Sequence, residues 1–213
     1  MDYLSSLLPF MLAGTVITIK LFFLTLIMAL PFGVVLALAR LSKFKPLNIF
    51  TQFYIWVFRG TPLLLQLLFI YFGLGMVGIN IDRFMAALVA FVLNYSAYLA
   101  EVYRSGIQSI DQGQFEAADV LGLSRWQTLS RIILPQMIKR VLPPISNEVI
   151  NLIKDTSLIY AIGISELLRV AKIAAVRDAI FVPFIVAAVF YLVMTAVLQQ
   201  TFKWLETRYA YYR

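Results

Sequence analysis

Apolar residues fall in long runs along this chain, and charges or helix breakers mark the ends of the runs. A helix that crosses a bilayer needs ~20 mostly apolar residues, and five stretches have that character. They lie at about 15–39, 53–78, 84–100, 141–165 and 179–202. The first holds one charge, Lys20, and the last holds none. The second contains Arg59 and the fourth contains Glu148, Lys154 and Asp155, so both are weak by hydropathy. The opening from Tyr3 to Ala13 is too short to span and has no basic residues ahead of it, so it is expected to be an interfacial lead-in rather than a cleaved signal. Tyr209, Tyr211 and Tyr212 at the other end read as part of an interfacial aromatic belt.

Composition agrees with a chain solvated by lipid. Of 213 residues, 62% are hydrophobic and 14% charged, with a mean hydropathy of +0.86; ordinary soluble domains carry ~45–50% apolar and ~25% charged residues. The chain has no Cys and no His. That excludes disulfides, thiolate nucleophiles and Cys/His metal centres, and neither a catalytic residue set nor a metal site is expected. The net charge of +7 is explained by the positive-inside rule before nucleic-acid binding, which is not expected. Eleven Lys and Arg fall on one side of the five spans: Arg40, Lys43 and Lys45; Arg104, Arg125, Arg131, Lys139 and Arg140; Lys203, Arg208 and Arg213. The opposite connections hold Arg83, Arg169, Lys172 and Arg177. The amino terminus is therefore expected outside and the carboxyl terminus in the cytoplasm. No linker, second domain or inverted repeat is visible, which leaves one transmembrane domain over 1–213.

The longest cytoplasmic connection, about 105–140, includes QGQFEAADVLGLSRWQTLSRIILP. From Phe115 to Trp126, apolar Phe115, Ala118, Leu121 and Leu123 interleave with Glu116, Asp119 and Arg125 at helical spacing, which predicts a short amphipathic helix. Gly122 is placed to cap or turn it, and Pro135 begins a new element. A helix lying on headgroups is usually rich in Lys and Arg, whereas Gln112 to Asp119 has two acids and no base. A protein partner is favoured.

The residues Glu116-Ala117-Ala118, then Gly122, Ile132 and Leu134-Pro135, match the EAA loop of binding-protein-dependent ABC importer permeases at every fixed position. Phe58-Arg59-Gly60-Thr61-Pro62-Leu63-Leu64-Leu65-Gln66, Asn94 to Arg104, and Lys154-Asp155-Thr156-Ser157-Leu158 resemble spans two, three and four of the polar amino acid permeases, the histidine, glutamine and arginine group. The resemblance covers essentially the whole chain. It implies an all-α membrane protein of the type I ABC importer permease fold, with five transmembrane helices and a short cytoplasmic coupling helix, in a bacterial inner membrane. It also implies a second permease subunit, identical or paralogous, two ATP-binding cassette subunits and an extracytoplasmic solute-binding protein. No phosphate loop of the GxxxxGK[ST] kind occurs here, so no cofactor is expected in this chain and ATP and Mg belong to the cassette partner. The coupling residues implied are Glu116, Ala117, Ala118, Gly122, Leu123 and Trp126.

Polar residues inside the spans are the candidates for substrate contact. Arg59 costs ~2.5–3.5 kcal/mol if it meets lipid. It can hold a substrate carboxylate, snorkel, pair with an acid on another span, or grip carbonyls freed by Pro62. Asn94, Tyr98 and Glu101 share one face of span three, although Glu101 beside Arg104 also fits a plain surface pair. Glu148, Asn151 and Asp155 share an acidic face of span four; the alternative is a buried Lys154–Asp155 pair. Those six residues are the expected substrate site, with the acids receiving a basic amino acid of the arginine, lysine or histidine type. Glutamine or another neutral polar amino acid is the alternative substrate. A secondary transporter driven by an ion gradient is the alternative of a different class.

Overall fold

A computed structural model describes residues 2–209, and among them there is no strand. Tyr211 and Tyr212 of the expected aromatic belt lie outside the described residues. The chain opens with α1, Asp2–Arg40. Lead-in and first span are thus one helix of 39 residues, which corrects the expected boundary at Ala13. At 1.5 Å per residue it is about 58 Å long, well beyond a ~30 Å hydrocarbon core.

The second expected span is not one helix. α2 runs Lys45–Gly60, and after a break the chain continues as α3, Leu63–Leu68, a π turn Phe69–Gly73 and α4, Leu74–Met76. The two parts meet at 105°. The break follows from Pro62, whose ring disfavours helical geometry in the residue before it. Thr61 accordingly sits extended at φ −121°, ψ 147°.

α5, Arg83–Gln108, is the centre of the bundle and touches α1, α2, α3 and α8. Asp82 caps it, its Oδ1 accepting from the backbone N–H of Phe84 at 2.9 Å and Met85 at 3.2 Å. Ala86, Ala87, Ala90, Ala97 and Ala100 are wholly buried along it. Small residues let helices approach closely where lipid gives no hydrophobic drive between them. Gly33 of α1 lies so near Leu99 that a Cβ there would be 2.8 Å from the Leu99 Cβ, and one on Gly106 would overlap the Val141 side chain.

The cytoplasmic loop holds α6, Gln112–Val120, and α7, Arg125–Thr128. The single helix expected over 115–126 is therefore two, with Trp126 on the second. A π turn, Leu129–Ile133, leads without a gap into α8, Leu134–Asp155, whose last turn tightens to a 3₁₀ helix, Thr156–Ile162. After Gly163 come α9, Leu167–Asp178, and α10, Val182–Arg208.

Three helices are long and apolar enough to cross a membrane among the described residues, Tyr3–Arg40, Arg83–Gln108 and Val182–Arg208, and the bent pair makes a fourth. The remaining expected crossing is α8, long enough at 22 residues but lowered in apolarity by Lys139, Arg140, Glu148, Lys154 and Asp155. Its buried side, including Val141, Val149, Leu152 and Ile153, packs into the main core.

Candidate functional site

The break at Thr61–Pro62 leaves carbonyls without helical partners, and an unpaired buried carbonyl costs ~1–3 kcal/mol. Two side chains close it. Gln66 Nε2 donates to Phe58 O at 2.9 Å, Thr61 O at 3.1 Å and Thr61 Oγ1 at 2.7 Å. Asn94 Nδ2, from α5, donates to Phe58 O at 3.0 Å and Gln66 Oε1 at 2.9 Å. Asn94 is only 4% exposed and its amide hydrogens are committed, so it offers an incoming molecule its carbonyl oxygen alone. Gln66 was not among the expected site residues. Its signal was its place four residues after Pro62, within reach of the freed carbonyls.

Tyr98 and Glu101 continue the Asn94 face and reach the same break. The Tyr98 hydroxyl is 3.5 Å from Arg59 O, and the Arg59 guanidinium lies over the Tyr98 ring at 5.2 Å. Glu101 takes Arg104 at 2.7–3.1 Å through three contacts, with Arg59 Nη1 farther off at 3.9 Å. Of the alternatives for Arg59, the acid on another span is the one it approaches, and the freed carbonyls go to Gln66 and Asn94; its place over the Tyr98 ring was not among them. Arg59, Glu101, Arg104, Arg40, Gln52 and Trp56 line an open cavity of about 480 Å³.

The acidic face of α8 meets α5 at Tyr95, round the helix from the Asn94 stripe. Asp155 Oδ2 accepts from the Tyr95 hydroxyl at 2.7 Å, and Tyr95 is nearly buried. Tyr95 was also missed, because as the neighbour of Asn94 it is turned ~100° from the expected stripe. Glu148 is half-buried against Leu26, Tyr95 and Leu99 and within electrostatic reach of Arg59 and Asp155. Asn151 and Lys154 are exposed. No Lys154–Asp155 contact within 4.0 Å occurs among the described residues. Four of the six expected residues thus gather in two groups around α5: Tyr98 and Glu101 facing the break, Glu148 and Asp155 facing Tyr95. Asn94 braces the break and Asn151 stands apart.

The cytoplasmic turn is built by backbone rules. Gly122 has φ +68°, with Gly122 N–H bonded to Asp119 O and Leu123 N–H to Ala118 O, both at 3.0 Å. This is the Schellman closure that favours glycine. Ser124 and Gln127 then form a capping box that starts α7. Ala118 is fully buried, whereas Glu116 and Ala117 face outward. The turn exposes Val120, Leu121 and Trp126, at 87%, 74% and 71%, with Leu123 between them half-buried. Three large exposed apolar side chains thus fall within seven residues of one loop.

One buried polar residue away from both groups had only a weak signal in the sequence. Glu166 is wholly buried, yet it caps α9 by accepting from the N–H groups of Leu168 and Arg169 at 2.7 Å and from the Tyr191 hydroxyl at 3.1 Å. Its hint was an acid directly ahead of a short helical pattern.

Residues 29–211 match the family described as binding-protein-dependent transport system inner membrane component. The chain is 43% identical over 187 residues to the putative glutamine transport system permease protein GlnP of Rickettsia bellii (strain RML369-C), covering 87% of this chain and 86% of that one. It is 41% identical over 192 residues to the arginine transport system permease protein ArtQ of Bacillus subtilis (strain 168), covering 89% and 88%. A crystal structure of an amino acid ABC transporter with histidines superposes with a TM-score of 0.89 at 39% identity, over 98% of this chain and 99% of that one. The fold is that of a type I ABC importer permease, as the EAA residues implied. With its broken second span, polar α8 and EAA turn, the chain belongs to the family of binding-protein-dependent transport system inner membrane components.

Proposed function

We propose that this chain is the membrane-spanning subunit of an ATP-driven importer of polar, basic amino acids, of the arginine, lysine or histidine type. The observation that carries the substrate class is the acidic face of α8. Neither Glu148 nor Asp155 has a cation within 4.0 Å among the described residues; Arg59 and Lys154 act on them only from farther off, and Arg59 lies 3.9 Å from Glu101. A cationic side chain in a low-dielectric passage needs such a counter-charge. The likeness to permeases named for glutamine and for arginine supports amino acid transport and leaves glutamine as the second reading.

In this reading the α6–α7 turn, with Glu116, Ala117, Ala118, Gly122, Leu123 and Trp126, seats in a groove of a cassette subunit that binds ATP and Mg. Closure of the cassettes moves the turn, and the continuous helical run from α7 through α8 carries that movement to Glu148 and Asp155. A second permease copy or paralogue completes the passage, and an extracytoplasmic binding protein delivers the amino acid. The amino terminus lies outside and the carboxyl terminus in the cytoplasm, following the basic residues. Affinity purification of the tagged chain from its membranes should bring down a protein that hydrolyses ATP. Recovery of the chain alone, in mild detergent and at low salt, would remove the cassette-driven reading.

A further inference from the structure

α9 covers the bundle with one face and leaves the other bare. Leu167, Ala171 and Ala174 pack with Leu7 and Met11 of α1 and Ala187 of α10, while Ile173 and Val176 are exposed. Arg169, Lys172 and Arg177 stand beside those two, and the five positions together step by three and four residues along a single helix face. With Tyr160 they line a cleft of about 570 Å³.

A further cation enters from a different element. Arg83, in the first turn of α5, and Arg169 both bring an Nη1 to the place where a Cβ on Gly163 would sit, at 3.0 and 3.1 Å. The two nitrogens are therefore no more than about 6 Å apart. Only glycine leaves that space, and Gly163 has φ +84°.

Arg177 is cancelled by Asp178 at 2.7 Å through two bonds. The Arg177 guanidinium, with help from the Tyr3 hydroxyl, holds the Asp178 carboxyl down to about 2, so that pair stays ionic. Glu166 points inward to its own helix cap. Arg83, Arg169 and Lys172 have no carboxylate within 4.0 Å among the described residues. Their hydrogen bonds and ring contacts are to neutral groups, Arg83 Nε to the Tyr71 hydroxyl at 3.1 Å, Arg169 Nη1 to Tyr160 O at 3.4 Å, and the Lys172 ammonium over the Tyr160 ring at 5.2 Å, while Glu166 acts on Arg169 only from beyond 4.0 Å. Like charges held this close are relieved when an anion joins them.

We propose that Arg83, Arg169 and Lys172, with Ile173 and Val176 beside them, form the seat for an acidic surface of the extracytoplasmic binding protein. The proposal rests on the importer reading above, which puts these connections outside. A basic, partly apolar helix also suits lipid headgroups, but a headgroup belt needs only one helix face. Here the charge is gathered from two elements around Gly163, at the end of the helical run that carries Glu148 and Asp155. That places it at the mouth of the proposed passage.

The test uses the assembled transporter in nanodiscs and the binding protein that stimulates its ATP hydrolysis. Reversing both arginines (Arg83→Glu with Arg169→Glu) should raise the half-stimulating concentration of binding protein about tenfold or more, leaving unstimulated hydrolysis unchanged. Arg83→Lys with Arg169→Lys should stay near wild type, and about 0.5 M salt should shrink the difference. If the double reversal fails to assemble, Lys172→Glu on its exposed side chain should still give a rise of about threefold. An unchanged half-stimulating concentration overturns the seat. So does an effect that appears only as altered dependence on the fraction of anionic lipid in the nanodisc. A wild-type complex that hydrolyses ATP but answers to no binding protein would instead overturn the importer reading itself.

Discussion

Replacing Gly122 with Arg should leave the chain inserted and the bundle folded, yet cut ATP-driven uptake at least about tenfold. The turn at Gly122 sits at φ +68°, where a residue with a Cβ costs ~1–2 kcal/mol. That strain is local and survivable. A Cβ at this position meets nothing within 4 Å in this chain, so a bulky charged side chain harms whatever lies against the turn rather than the turn's own packing. Gly122→Ala separates the two effects. It carries the backbone strain without the bulk, and should retain most of the transport and of the cassette copurification that Arg removes. Full transport by Gly122→Arg with normal stimulation of hydrolysis would show that no partner docks there.

Neutralising the α8 acids should have the second large effect. A hydrogen bond to a charged group contributes ~1.5–3 kcal/mol, and each 1.4 kcal/mol is about tenfold in affinity. Glu148→Gln and Asp155→Asn are therefore each expected to lower arginine uptake about tenfold or more, with a smaller change for glutamine. Glu101→Gln should differ in kind. Glu101 is already engaged by Arg104, so its loss frees Arg104 and Arg59 within their shared cavity and should alter rate more than preference. Tyr95→Phe removes the 2.7 Å bond to Asp155 but keeps the charge, so it should cost less than Asp155→Asn. If all three carboxylate variants kept wild-type rate and preference for arginine, the acids would be structural.

Periodicity and charge located most of the bundle, because long apolar runs have few other solutions in lipid. They failed where local chemistry overrides a run. Pro62 turns an apolar stretch by 105°, and no hydropathy count distinguishes a straight crossing from a bent one. The opening leucines look like a short interfacial segment until Leu7 and Met11 find α9 and α10 to pack on. The acidic face of α8 was visible as a three- and four-residue spacing, but its main partner, Tyr95, was not. Which neighbour faces Asp155 depends on how α5 and α8 are rotated against each other, and that is set by the close approach at Gly106. The EAA turn was the most legible part, since the Gly122 backbone bonds and the Ser124–Gln127 capping box are local and sequence-encoded.

The proposed function requires that a cationic amino acid pass at the expense of ATP held by a partner. The most direct measurement is uptake of labelled arginine into proteoliposomes containing the purified complex, cassettes and binding protein, with ATP supplied to the cassette side. Uptake should require ATP, persist when ion gradients are collapsed, and be displaced by unlabelled lysine or histidine but not by glutamine. Uptake driven by an ion gradient without ATP, or displaced by glutamine and not by lysine or histidine, would rule out ATP-driven import of basic amino acids by this chain.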